Sequence, residues 1–305
     1  MTPMKEIVLI TGANGLVARK LSKILTENYN VRFLTRQKRS NNEFEWNVDQ
    51  HLIDATALMG VDHIIHLAGA SISGKRWINS YKKEIIESRV ASANLLFNTL
   101  KEHNLHIKSF ISASAIGIYE NTNRAVIHTE DSPKGDGFLS DVVYEWEQSA
   151  DRFLSAGIAE RVVKIRSGVV LDSQKGALPK MVIPIKYGLG APLGDGGQFV
   201  PWIHIDDICN LYKLVLDNPT LKGIFNGVAP NHSTNQDLTK EIARILDRPI
   251  VMPKIPKVVL QLFFGAGSTV LLEGSKVSSE KIEKEGFQFQ YKTLTEALEQ
   301  LLSKK

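Results

Sequence analysis

"LITGANGLVARKL", residues 9–21, decides the fold. An apolar run ends at Thr11, glycines follow at positions 12 and 15, and a small residue, Ala18, stands three places further on, inside what reads as the start of a helix. A strand-to-helix turn that receives a dinucleotide needs those features. Gly12 permits the tight turn, Gly15 lets backbone amides approach a pyrophosphate, and Ala18 lets the helix pack closely. Amides around Asn14, Leu16 and Val17 then present the positive end of the helix to the phosphates. A plain turn is the alternative. The position between a strand and a helix favours the cradle.

Outward from this stretch, β-branched runs recur at "EIVLIT" (6–11), "VRFLT" (31–35), "DHIIHLAG" (62–69), "KSFISASA" (108–115) and "ERVVKIRSGVVL" (160–171), separated by longer helical patterns. Such alternation predicts an α/β fold: a doubly wound parallel Rossmann sheet whose ligand crevice lies beyond the carboxyl ends of its strands. Residues 1–170 form the dinucleotide-binding domain, with 200–228 returning to it. Residues 171–199 and 229–305 form a smaller C-terminal α/β substrate lobe. Within the lobe, "GLGAPLGDGGQF" (188–199) reads as a lid or hairpin, "STNQDLTKEIARILDR" (233–248) as a capped helix and "TLTEALEQLLSKK" (293–305) as a final amphipathic one.

The chain has 305 residues, 43% hydrophobic and 23% charged, enough for a large core. Thirty-seven basic against 33 acidic residues leave +4, scattered apart from Arg36, Lys38 and Arg39. That pattern fits a local anion site and not a nucleic-acid surface. The lone cysteine, Cys209, and the absence of zinc-type Cys/His spacing point to a reducing compartment, the cytoplasm, with no metal. The opening "MTPMKEIVLITG" lacks signal-peptide features. "VVLQLFFGAGSTVLLEG" (258–274), interrupted by Gly265 and Gly267, reads as two short helical pieces and not a membrane span.

The second strand runs into "FLTRQKR" (33–39), where an NAD-preferring protein often carries an acidic residue for the ribose hydroxyls. Arg36 instead offers a guanidinium to a 2′-phosphate, so NADP(H) is expected over NAD(H). A solvated basic turn is the other reading.

The motifs "TGANGLVA", "HLAGASI", "SASAIGIY", "RSGVVL" and "WIHIDDI", in this order, make the chain resemble the extended short-chain dehydrogenase/reductase superfamily. The longer strings "HLAGASISGKRWINSYKKEIIESRV", "YEWEQSA", "NGVAP" and "EKEGFQFQY" are similar to its atypical epimerase branch, the family that includes human member 39U. The resemblance implies that Leu67, Ala68 and Gly69 line the adenosine and ribose side of the cofactor, that Glu84 and Arg89 reach it, and that Ser167 lies beside the nicotinamide. From the residues alone, Arg89 meets a phosphate or carboxylate, or pairs with neighbouring surface charges.

In that superfamily a tyrosine moves the proton, a lysine one helical turn later lowers its pKa, and a serine polarises the carbonyl. Here "SDVVYEWEQSADRF" (140–153) puts Val143 and Glu147 in the tyrosine and lysine positions, with Tyr144 out of register. At about 100° per residue, Trp146, Ala150, Phe153 and Leu154 form an apolar stripe facing away from Tyr144 and Gln148, which leaves a homodimer through this helix open. A glutamate acts on a tyrosine in the opposite sense to an ammonium. Glu147 itself is then an acid or base, or a ribose ligand. Ser114, beside Ala115 where the serine is expected, and Tyr119 are the other catalytic candidates. Arg76, Trp77 and Lys82 form either a wall toward an anionic substrate or a cap over the sheet edge. In "WIHIDDI" (202–208), Asp206 or Asp207 is expected to cap the following helix and His204 to bond locally. The expected activity is hydride transfer on a carbonyl or sugar-like small molecule, as an oxidoreductase or within an epimerisation cycle. The alternative is a cofactor-binding regulatory protein without turnover.

Overall fold

The computed structural model describes residues 5–72, 75–120 and 125–303. Residues 1–4, in "MTPMKEIVLITG", Ser73 and Gly74 of "HLAGASISGKRW", and Lys304 and Lys305 of the expected final helix lie outside the described residues. The chain runs β1 (Ile7–Thr11), α1 (Leu16–Leu25), β2 (Asn30–Thr35), β3 (Glu43–Asn47), β4 (Leu52–Ile53), β5 (His63–His66), α2 (Asn79–Glu102), β6 (Ile107–Ala115), β7 (Ile127–His128), α3 (Phe138–Ser155) and β8 (Ala159–Ser167). It continues through β9 (Val169–Leu171), α4 (Leu178–Lys186), β10 (Trp202–His204), α5 (Ile205–Asp217), β11 (Gly223–Gly227), α6 (Asn235–Ile245), α7 (Lys257–Phe264), α8 (Thr269–Leu272), β12 (Lys276–Val277), α9 (Glu280–Lys284) and α10 (Leu294–Leu302).

Eight strands form one sheet in the order β11-β8-β6-β5-β1-β2-β3-β4, parallel except for the β3–β4 edge pair. Successive side chains of a strand point to opposite faces. Val8 and Ile10 of β1, Ile111 of β6 and Val163 and Ile165 of β8 accordingly enter one core, beneath α1 and α5. Leu9, Phe110 and Val162 enter the other, beneath α2 and α3. Both faces are covered, so the strands read as near-continuous apolar runs. The sheet is the doubly wound Rossmann arrangement that the alternation predicts.

"ERVVKIRSGVVL" divides at Gly168. A Cβ there would sit 2.5 Å from the Pro201 carbonyl oxygen, so only glycine admits that approach. The chain then leaves the main sheet, and β9 pairs in parallel with β10. The segment 172–200 with α6 and α10 builds a third core around Leu178, Trp202, Leu238, Ile242 and Leu298. Its helices start as the sequence dictates: Thr234 with Asp237 and Thr293 with Glu296 each form a reciprocal capping box.

The structure also corrects the reading of two elements. The cap of α5 is neither aspartate: His204 Nδ1 accepts the Asp206 N–H at 3.1 Å, while Asp207 reaches across to the Gln290 and Tyr291 amides. In α3, Trp146, Ala150 and Phe153 are buried, but Leu154 is 51% exposed, because the stripe is covered only where β6, β8 and α2 lie over it. Among the described residues no helix is long and apolar enough to cross a membrane. The stretch 258–274 forms α7, a 3-10 turn and α8.

Candidate functional site

The first turn after β1 is built as its sequence requires. Gly12 has φ +71°, and a Cβ on it would lie 3.0 Å from the Leu67 carbonyl oxygen and 3.1 Å from the Ala68 amide nitrogen. A side chain there meets both strain and backbone. The Gly15 N–H donates to the Gly12 carbonyl at 2.7 Å and α1 begins at the next residue. The Thr11 hydroxyl oxygen accepts the Leu67 and Ala68 amides, each at 3.0 Å, and joins the ends of β1 and β5. With both amides donating to it, its own proton goes to His66 Nδ1 at 2.9 Å, which leaves His66 Nε2 to donate to Ser92 Oγ at 3.1 Å. Burial pushes the His66 imidazole down to about 4, so it stays neutral. This Thr11–His66–Ser92 line beneath the cradle was not singled out by sequence; histidine at a strand end beside "HLAG" was its only signal.

A cleft of about 840 Å³ opens over the carboxyl ends of these strands. Gly12, Asn14, Gly15, Arg36, Ala68, Gly69 and Glu84 all line it. Arg36 is exposed at its lip. Leu16 and Val17 bring their amides to the start of α1, while their side chains pack toward the core. Leu67 is half-buried there as well. Glu84 faces Lys75 at 3.6 Å.

Arg89 does not pair with surface charges. Its guanidinium donates to the carbonyls of Ile85 at 2.8 Å and Ala70 at 3.0 Å and stacks over Trp146 at 5.0 Å. Among the described residues no carboxylate joins it, and burial brings it down to about 10. Its guanidinium lies against Gly69, on the wall of the cleft. The dinucleotide fits these residues: a glycine cradle closed to any side chain, helix amides and, at the lip, Arg36, which among the described residues has no acidic partner.

The catalytic candidates meet in one buried network away from that wall. Ser114 Oγ donates to Glu147 Oε1 at 2.6 Å. Arg166, unnoticed in the sequence, grips both Glu147 oxygens, Nε to Oε1 at 2.7 Å and Nη2 to Oε2 at 2.8 Å. Its Nη1 also donates to the Tyr119 hydroxyl at 3.0 Å, which in turn donates to Asn226 Oδ1 at 2.7 Å. The Asn226 backbone N–H donates to Glu130 Oε1 at 2.7 Å, and the Ser167 hydroxyl donates to the Ser114 carbonyl at 3.2 Å. Burial disfavours charge on Arg166, but the Glu147 carboxylate holds it protonated above its ordinary range. Burial pushes the Tyr119 phenol above its usual value, despite Arg166. Ser114, Tyr119, Glu147 and Ser167 line neither of the two cavities described here. On α3, Val143 is buried and Tyr144 is 44% exposed. Trp77 is core: its ring packs edge-on against Phe138 and Nε1 donates to the Ile72 carbonyl at 2.8 Å, so it forms no substrate wall. Among the described residues no cluster could hold a metal.

The model of the NAD dependent epimerase/dehydratase family matches residues 8–137, and that of a domain of unknown function, DUF1731, matches residues 255–301. The chain is 34% identical over 313 residues to the chloroplastic SDR39U1 homolog of Arabidopsis thaliana, covering 97% of this chain and 86% of that protein. It is 32% identical over 300 residues to human epimerase family protein SDR39U1, covering 97% and 99%. The crystal structure of the human protein (isoform 2) with NADPH superposes with TM-score 0.87 at 30% identity, covering 98% of this chain and all of that one. From the glycine cradle to the C-terminal lobe, then, the chain belongs to the SDR39U1 epimerase family, a branch of the extended short-chain dehydrogenase/reductases.

Proposed function

We propose that the protein binds NADP(H) and reduces or epimerises a small carbonyl compound. The observation that carries this reading is the cleft itself: Gly12 closed to any side chain, the Gly15 turn into α1, and Arg36 at the lip. The human relative's NADPH-bound structure supports it. Bound NADPH would supply a hydride. The amides from Gly15 to Val17 would hold the pyrophosphate, Arg36 the 2′-phosphate, and Ala68, Gly69 and Glu84 the adenosine side. A small-molecule substrate accords with the family, and the lone buried Cys209 accords with a reducing compartment, for which we propose the cytoplasm. Tyr144 and Leu154, both exposed on α3, are the contacts through which we expect two copies to pair.

Titration of the purified protein with NADPH and NADH tests the reading. NADPH should bind more tightly, and Arg36→Ala should weaken NADPH by about 10- to 100-fold while leaving NADH almost unchanged, the worth of one or two charge-assisted bonds. Equal loss for both cofactors would remove the 2′-phosphate role; binding of neither would sink the proposal. A second reading, cofactor binding without turnover, is favoured by one observation: both Glu147 oxygens are tied up by Arg166. NADPH binding without oxidation by any carbonyl compound would select it.

A further inference from the structure

A second cavity, of about 250 Å³, lies between α4, the 189–193 loop, α6 and α8. It adjoins the cofactor cleft. Ser71 lines the cleft, Ile72, the next residue, lines the second cavity, and Lys75 lines both. Ser71 and Ile72 are held in place, since the Tyr81 hydroxyl donates to the Ser71 carbonyl and Trp77 Nε1 to that of Ile72.

We infer that this cavity receives the body of the substrate, and that the body is apolar, a medium-length alkyl chain or one or two rings, with the carbonyl end toward Lys75. The inference rests on the proposed reduction and narrows its substrate. The walls are Met181, Leu193, Leu238, Ile242, Val270 and their neighbours. The neutral polar side chains among them are few and partly engaged: Asn235 Oδ1 accepts the Leu193 N–H at 2.8 Å, and the Thr239 hydroxyl donates to the Asn235 carbonyl at 2.8 Å. A sugar entering here would surrender its water-bonded hydroxyls for few partners in return, and each one left unpaired weakens binding. An apolar body gains from the same walls. The volume is below the ~300–1,000 Å³ usual for drug-sized ligands, too small for a nucleotide sugar. Leu189, 59% exposed, and Phe264, 42% exposed, make the entrance apolar too. The charged side chains on the lining are Lys75 and Lys180, donors suited to a carbonyl or carboxylate oxygen.

The test separates substrate class from cofactor use. Binding of decanoate and of UDP-glucose is measured by calorimetry with and without NADP+, and oxidation of NADPH is followed with decanal. Decanoate should bind and UDP-glucose should not. Met181→Trp, which fills the cavity, should weaken decanoate by about tenfold or more while leaving NADPH affinity unchanged. Leu189→Asp, at the exposed entrance where folding is not at stake, should weaken it in the same direction. If decanoate binds and responds to both variants but NADPH does not bind, the apolar site stands and the reductase reading falls. If NADPH binds but decanoate does not, or UDP-glucose binds regardless of Met181→Trp, the apolar-substrate inference is overturned.

Discussion

Glu147 and Arg166 form a buried ion pair in the middle of a hydrogen-bonded network. Two charges at 6% and 5% exposure are expensive to desolvate, and here each is satisfied: Glu147 by the guanidinium fork and Ser114, Arg166 by Glu147, Tyr119 and the Glu130 carbonyl. Removing one partner leaves the other charge buried and alone. Glu147→Gln should therefore lower the unfolding free energy by about 3–5 kcal/mol, measured by urea denaturation. Glu147→Leu combined with Arg166→Met should cost less than the sum of the two single changes, since the pair leaves together. Strict additivity in this cycle would mean that the two charges do not interact. The same variant bears on chemistry. A glutamate that moves a proton to substrate would lose turnover on conversion to glutamine while still binding NADPH, whereas a purely structural one would change stability and kinetics only in step with folding.

Among the elements, those with a local cause are the ones visible in the sequence. The cradle between β1 and α1 follows from Gly12 and Gly15, and the starts of α6 and α10 follow from Thr234 and Thr293 with acidic partners three residues on. Thr234→Ala should accordingly cost about 1 kcal/mol, detectable as a lower urea midpoint with an unchanged slope; no change would mean that Asp237 holds that helix end unaided. What was hidden depends on distant chain. β3, "EFEWN", carries charged residues at alternate places and becomes a strand only because β2 offers it an edge. His204 rather than an aspartate caps α5 because Asp207 is drawn to the Gln290 and Tyr291 amides, 83 and 84 residues away. Arg166 looked like one more strand residue until β8 and β6 lay side by side, with Arg166 opposite Ser114. The cradle could be read; the buried Ser114–Glu147–Arg166–Tyr119–Asn226 network could not, because its members come from β6 and the turn after it, α3, β8 and β11.

Across the whole molecule, buried histidines and the buried thiol set the pH range in which the fold is stable. His63, His66, His204 and His232 are all held below their ordinary value, in each case first by burial. For His66 the folded value is about 4 against an ordinary 6.5. Between those limits the unfolded chain takes up a proton that the folded one refuses, so stability is full above pH 6.5 and declines as pH falls toward 4. From pH 7 to pH 5 this one residue should remove about 2 kcal/mol, at 1.36 kcal/mol per pKa unit, and the other three act in the same direction. At the alkaline end the sign comes from the opposite shift. Burial pushes the Cys209 thiol up to about 12 from 9.0, so above pH 9 the unfolded chain releases a proton that the folded one keeps, and stability falls again. The fold should be most stable between about pH 7 and pH 9. Urea unfolding at pH 5, 7 and 9 measures the curve, and His66→Asn, which retains an acceptor for the Thr11 hydroxyl but does not titrate, should flatten its acid limb by nearly one proton. A wild-type limb that is level between pH 7 and pH 5 would show that His66 is not neutral beneath the cradle. The tautomer that lets the Thr11 oxygen collect the Leu67 and Ala68 amides would then have to be abandoned with it.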